Sequence, residues 1–169
     1  MFKTNVTRSL CRAGLIAALY VLLTLVNPMS FGIFQFRISE ALTILPIFFP
    51  EAVPALFVGC LVSNIIGNGV FDIVIGSIAT LIAATATYFC AKPIKNKALK
   101  FLVGGLFPVV TNAFAVPVIF ILCGISTHTY IIEVLIIGAE EAGVVYTLGA
   151  ALYVAIDKIK QFKSTKISE

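Results

Sequence analysis

Arg37, Glu40, Asp72, Glu133, Glu140 and Glu141 each stand inside or at the edge of a long apolar run. Carboxylates in such surroundings can hold a cation, accept hydrogen bonds from a ligand rich in N–H groups, or relay a proton. A charge facing lipid near the bilayer centre costs about 2.5–3.5 kcal/mol on insertion scales, so such groups persist where they face a bundle interior, a partner charge or a ligand. Asp72 and the glutamates at 133, 140 and 141 have no base close to them in sequence. The pattern points to a polar cavity inside a helical membrane protein and to a cationic or donor-rich ligand.

The spacing of these residues narrows the chemistry. Arg37 and Glu40, at i and i+3, can form a salt bridge that caps a helix start with its carboxylate near the positive end, or one of them can meet a ligand. Asn64, Asn68 and Asp72 surround the turn Gly67-Asn68-Gly69. Turn chemistry accounts for Asn68. Asn64 and Asn112 lie within apolar helical runs, where a buried amide needs a partner, from another helix or from a ligand. Glu140 and Glu141 are adjacent, so on a helix they point about 100° apart and only one can face a given site squarely. Which one does is open at this point. A Glu-Glu pair also occurs in intramembrane proteases of the EExxxR type, but Val145 occupies the Arg position and the chain has a single histidine, His128. His128 sits between Thr127 and Thr129 in a loop and reads as a solvated residue. There is no GxxxxGK[ST], HExxH or GxSxG motif. The four cysteines, Cys11, Cys60, Cys90 and Cys123, form no CxxC or Cys/His cluster. No catalytic residue, metal site or cofactor is therefore expected.

The elements that must position these groups follow from hydropathy and charge. Of 169 residues, 60% are hydrophobic and only 12% charged, with a mean hydropathy of +1.07. A membrane helix needs about 20 apolar residues, and runs of that kind fill the chain from Leu10 to Ile156, giving one transmembrane domain over 1–169. The net charge of +4 does not indicate nucleic acid. Eleven of the twelve basic residues fall in three groups: Lys3, Arg8, Arg12; Lys92, Lys95, Lys97, Lys100; and Lys158, Lys160, Lys163, Lys166. This is the positive-inside pattern, and it places all three groups in the cytoplasm. The number of crossings between successive groups must then be even. Six helices satisfy this, at about 9–26, 38–49, 52–66, 71–91, 101–123 and 130–156. Pro46, Pro50 and Pro54 rule out one long helix over 38–66, and Pro50-Glu51 makes the cytoplasmic turn. A re-entrant hairpin over 38–66 also satisfies parity, with four spans. In the six-span arrangement both termini are cytoplasmic, and the acids mark a funnel open to the outside that ends near mid-membrane. In the first helix, Ala13/Ala17 and Gly14/Ala18 form small-xxx-small pairs, which let helix backbones approach closely, within the chain or against another subunit.

Phe36-Arg37-Ile38-Ser39-Glu40-Ala41-Leu42-Thr43 resembles the FRxSEALT signature of the QueT family. The family comprises substrate-binding S components of energy-coupling-factor (ECF) transporters linked to queuosine precursors. The resemblance continues through Leu45-Pro46, Asn64, Asp72-Ile73-Val74 and Gly76-Ser77-Ile78-Ala79-Thr80-Leu81. It takes in Pro108-Val109, Asn112-Ala113, Glu141, Tyr146 and Gly149. Glu140 departs from it, since relatives are expected to carry a small residue there. The resemblance implies an all-α integral membrane protein with an S-component-like bundle of six transmembrane helices in the cell membrane. It implies an outward-facing pocket for a 7-deazaguanine bearing an aminomethyl or nitrile group. It also implies docking through Ala13 and Ala17 on a transmembrane coupling subunit, energised by two cytoplasmic ATPases. The expected ligand contacts are Arg37, Glu40, Asn64, Asp72, Asn112 and Glu141, with Gln35, Asn68, His128, Glu140 and Tyr146 as a second group of candidates. Partners are thus a small deazapurine, the coupling module and the bilayer, and no nucleic acid.

Two other functions stand beside this one. A stand-alone proton-coupled carrier would use Glu140/Glu141 as a relay and would transport without ATPases. A membrane-embedded enzyme would release a product.

Overall fold

The computed structural model describes residues 2–30 and 36–165. Among these residues the chain is built from helices and turns, without strands. Helix α1 (Phe2–Val26) stops before Pro28, whose ring disfavours helical backbone at the residue before it. A single 3-10 turn, Pro28–Ser30, follows. A ten-residue 3-10 helix then runs from Ile38 to Ile47. Helix α2 (Ala52–Gly67) starts after the Pro50-Glu51 turn, with Pro54 tolerated in its first turn. Helix α3 (Ser77–Ala91) is entered through a π turn, Asp72–Gly76. Helix α4 (Lys97–Cys123) is capped at its start by Asn96, whose side chain accepts from the backbone N–H of Ala98 and Leu99 at 3.0 and 3.3 Å. It ends at Gly124, whose φ of 68° takes the left-handed conformation that glycine adopts without strain. Helix α5 (Tyr130–Thr165) closes the bundle.

The six expected helices are present, and two differ in kind from the sequence expectation. The segment expected as a helix over 38–49 winds as 3-10 over Ile38–Ile47. Pro46 lacks the N–H that an α-helix would bond to Leu42, and the Thr43 hydroxyl donates to the Glu40 carbonyl at 2.5 Å. The tighter winding rises about 2.0 Å per residue, so ten residues cover roughly 20 Å. This thin helix runs through the middle of the bundle, with every residue from Ser39 to Pro46 buried. The span expected as uniform over 71–91 opens with a π turn, because the Asn64 amide donates to the Asp72 carbonyl at 2.9 Å and inserts into the helical ladder. α1, α4 and α5 also run further into the basic segments than the apolar runs predict. Hydropathy marks the membrane boundary, while helical hydrogen bonding continues past it.

Among the described residues, three stretches are long and apolar enough to cross a membrane: Val6–Val26, Asp72–Ala91 and Lys97–Cys123. The 3-10 helix, α2 and α5 complete the bundle. Five contacts bring the basic ends together. Arg12 pairs with Glu51 and lies 4.4 Å over the Phe49 ring. The Phe48 and Tyr153 rings are 4.9 Å apart. Lys97 pairs with Asp157 at 2.7 Å, and the Tyr153 hydroxyl donates to the Lys97 carbonyl. The starts of α1 and α4, the Pro50-Glu51 turn and the far part of α5 therefore share one end of the bundle, as the parity argument requires.

The apolar core lies where α1, the 3-10 helix, α2 and α3 meet, around Ile16, Tyr20, Leu45, Leu56, Cys60 and Ala84. A Cβ at Gly59 would stand 2.8 Å from the Tyr20 Cβ and 3.1 Å from the Ala17 carbonyl, so α1 and α2 touch backbone to backbone there. Ala13 and Ala17 pack half-buried against this core. Ala13 also borders an open groove of about 430 Å³ with Val6, Leu10, Glu51 and Pro54, whereas Gly14 and Ala18 are exposed.

Candidate functional site: a buried guanidinium–carboxylate cavity

Near the end of the bundle opposite the basic segments, a cavity is lined by Arg37, Glu40, Asp72, Gly76, Ala79, Thr80, Asn112, Ala115, Val116, Ile119, Ile137 and Glu141. The 3-10 helix and the residue before it supply Glu40 and Arg37. The π turn supplies Asp72, α4 supplies Asn112 and α5 supplies Glu141. Each of these five polar side chains is less than a tenth exposed. Five of the six expected ligand contacts are thus brought to one place from four separate parts of the chain.

The pairing differs from the one that spacing allows. Arg37 forms its ion pair with Asp72, Nη2 to Oδ1 at 3.5 Å, and not with Glu40 three residues on. The base that Asp72 lacks in sequence comes from another element. Glu40 Oε1 accepts the Tyr20 hydroxyl. Asn112 Nδ2 donates to Glu141 Oε1 at 3.0 Å. Arg37 Nε and Nη2 and Glu40 Oε2 are buried without hydrogen-bond partners among the described residues. A buried polar atom left unbonded costs about 1–3 kcal/mol, and more when charged. Three carboxyl groups face one guanidinium here, which suits a ligand that carries positive charge or several N–H donors, together with an acceptor for Arg37.

The cavity is small. Its volume of about 20 Å³ accommodates roughly one water, against the ~300–1,000 Å³ typical of small-molecule pockets. The sequence implies a funnel open to the outside; the space left among these side chains is instead no larger than a water.

The remaining candidates lie elsewhere. Asn64 is fully buried but does not line the cavity. Its amide is engaged by the Asp72 carbonyl and, at 3.4 Å, by the Cys60 sulfur, while its oxygen accepts from Asn68 at 2.8 Å. It holds the π turn that presents Asp72, and Asn68 in turn holds Asn64. Glu141 lines the cavity; Glu140, next to it, does not and is half-buried on the flank of α5. Tyr146 points toward the basic end, where its hydroxyl donates to the Leu102 carbonyl at 2.9 Å and its ring packs on Gly105. His128 is exposed, and its backbone N–H donates to Glu133. Glu133 is not a wall of the site: its Oε1 accepts from Ser126 Oγ and from the Thr127 and His128 amides, closing the loop before α5. Gln35 lies outside the described residues. Sequence reasoning missed Tyr20, and also Thr80, whose hydroxyl bonds the Gly76 carbonyl at 3.1 Å and the Cys60 sulfur at 3.3 Å. Neither residue type stands out in an apolar helix. Among the described residues, no group of three or more His, Cys, Asp or Glu side chains is arranged to hold a metal ion.

The family model described as QueT transporter matches residues 10–158. The "Queuosine precursor transporter QueT" of Lactococcus lactis subsp. cremoris (strain MG1363) is 32% identical over 83 residues, which cover 47% of this chain and 49% of that protein. The aligned part of the chain thus spans about half the length of this curated relative. No solved structure matches. With a family match over nearly its whole length and an all-helical bundle apolar enough to cross a membrane repeatedly, this chain belongs to the QueT transporter family.

Proposed function

We propose that this chain is the substrate-binding subunit of an ATP-driven ECF-type importer and captures a 7-deazaguanine queuosine precursor from outside the cell. The observation that carries the reading is the convergence of Arg37, Glu40, Asp72, Asn112 and Glu141 on one buried cavity in a member of this family. The ligand's chemistry matches theirs. The guanine edge presents adjacent N–H donors, and one carboxylate can accept two of them. The exocyclic oxygen needs a donor, which the unbonded N–H groups of Arg37 can supply. An aminomethyl group is cationic and pairs with a further acid, offsetting the excess of carboxyl groups. Ala79, Ala115, Val116, Ile119 and Ile137 form the apolar wall on which the flat ring lies.

Both termini lie in the cytoplasm on this reading, because the positive-inside rule acts on the end of the bundle where the basic segments gather. Energy comes from two cytoplasmic ATPases through a transmembrane coupling subunit. The apolar groove beside Ala13 is where α1 would meet that subunit. Glu140 and Glu141 face different surroundings, which argues against a direct proton relay between them.

The test is calorimetric titration of the purified protein with aminomethyl- and cyano-7-deazaguanine, with guanine as control. Saturable binding of a deazapurine supports the reading. Transport by the chain alone in proteoliposomes without ATPases would replace it with the proton-coupled carrier.

A further inference from the structure

Tyr20 is fully buried on α1, and its hydroxyl donates to Glu40 Oε1. A buried tyrosine hydroxyl needs a partner, and a backbone carbonyl is the usual one. Here the partner is an ionisable side chain of the cavity wall, whose second oxygen, Oε2, has no hydrogen-bond partner among the described residues. One helical turn further along α1, Thr24 Oγ1 donates to the Tyr20 carbonyl at 2.8 Å and is hydrogen-bonded to Ser39 Oγ at 2.7 Å, next to Glu40 in the chain. Two consecutive turns of α1 therefore fix the part of the 3-10 helix that carries Glu40. The Tyr20 ring is itself held against α2 at Gly59, where a Cβ would come within 3.1 Å of the ring carbon Cγ.

We propose that Tyr20 is a positioning residue of the binding site: it engages one oxygen of Glu40 and leaves the other as the acceptor that reads a single donor of the ligand. A carboxylate with two free oxygens grips a pair of adjacent N–H groups side by side. With Oε1 occupied by Tyr20, Glu40 takes one donor, and a bidentate grip on the base edge falls to another acid of the cavity. Tyr20 thereby fixes both the rotamer of Glu40 and the number of donors it recognises. This inference rests on the proposed deazapurine reading.

The experiment is a double-mutant cycle on the purified full chain, with aminomethyl-7-deazaguanine as the probe. Tyr20→Phe keeps the ring against Gly59 and removes only the hydroxyl. It should weaken binding about 10-fold, in line with a hydrogen bond to a charged group. The thermal midpoint of the unliganded variant checks that the fold is retained. Glu40→Ala should weaken binding as well, and Tyr20→Phe should add little in the Glu40→Ala background, because no acceptor is left there for the hydroxyl. Equal losses from Tyr20→Phe with and without Glu40 would overturn the inference and make Tyr20 a packing residue. So would unchanged affinity in Tyr20→Phe while the parent protein binds. If the parent binds no deazapurine, the functional reading fails, and this inference with it.

Discussion

Arg37, just ahead of the 3-10 helix, and Asp72, heading the π turn into α3, form an ion pair of 3.5 Å with both side chains less than a tenth exposed. Two elements far apart in sequence are thus joined by charge at the cavity wall. Removing one member of a buried pair leaves the other charge uncompensated, which costs about 3–5 kcal/mol. Arg37→Ala should therefore lower the thermal midpoint in detergent markedly, and Arg37→Ala/Asp72→Ala should recover part of the loss. An unchanged midpoint in Arg37→Ala would show that the pair contributes nothing to the fold.

Asn64 should act on stability first and on binding second. Its amide holds the Asp72 carbonyl in the π turn. Asn64→Leu leaves that carbonyl without the side-chain bond, at a cost of about 1–3 kcal/mol. The unliganded midpoint should fall, and the affinity loss should be smaller than that of a variant in the cavity wall. A large affinity loss with an unchanged midpoint would place Asn64 in direct contact with the ligand.

Arg37, Asp72 and Asn64 show how much of the site was legible in the sequence. A charge in an apolar run has few explanations, so Arg37, Glu40, Asp72 and one of Glu140 and Glu141 were legible as cavity residues, while only the family resemblance singled out Glu141 and Asn112. A buried amide has two, and for Asn64 the helix packing took precedence. Glu133 is an acid in the first turn of a helix preceded by Ser126 and Thr127, a pattern that signals loop closure by the carboxylate; its placement in an apolar run hid this. Tyr20 carried no signal, because a tyrosine suits an apolar helix whether or not its hydroxyl matters. The six helices followed from charge parity and prolines. The 3-10 and π windings did not, since they depend on the Thr43 hydroxyl and the Asn64 amide competing for particular carbonyls.

Topology is tested by cysteine labelling. Cys11, Cys90 and Cys123 are exposed on the isolated chain, so they are replaced first. A cysteine at Ser126 should react with an impermeant reagent from outside, and one at Asn96 only from inside. Outside labelling at position 96 would contradict cytoplasmic basic segments.

The proposed docking of α1 on a coupling subunit predicts that Ala13→Leu, which fills the groove bordered by Val6, Leu10 and Pro54, reduces copurification of that subunit and uptake. Ligand binding by the isolated chain should persist. Ala17→Leu should in addition disturb the contact with α2 near Gly59. Lost binding with intact assembly would assign the face to internal packing.

Binding of aminomethyl- and cyano-7-deazaguanine to the parent, Glu141→Gln and Asp72→Asn proteins tests the central claim most directly. Breaking a hydrogen-bonded charged contact in a desolvated pocket costs about 2–5 kcal/mol, or roughly 30- to 5000-fold in affinity. The acid that pairs with the ammonium should matter mainly for the aminomethyl ligand, and the acid that reads the guanine edge for both. Near-parental affinity of both variants for both ligands would contradict the account.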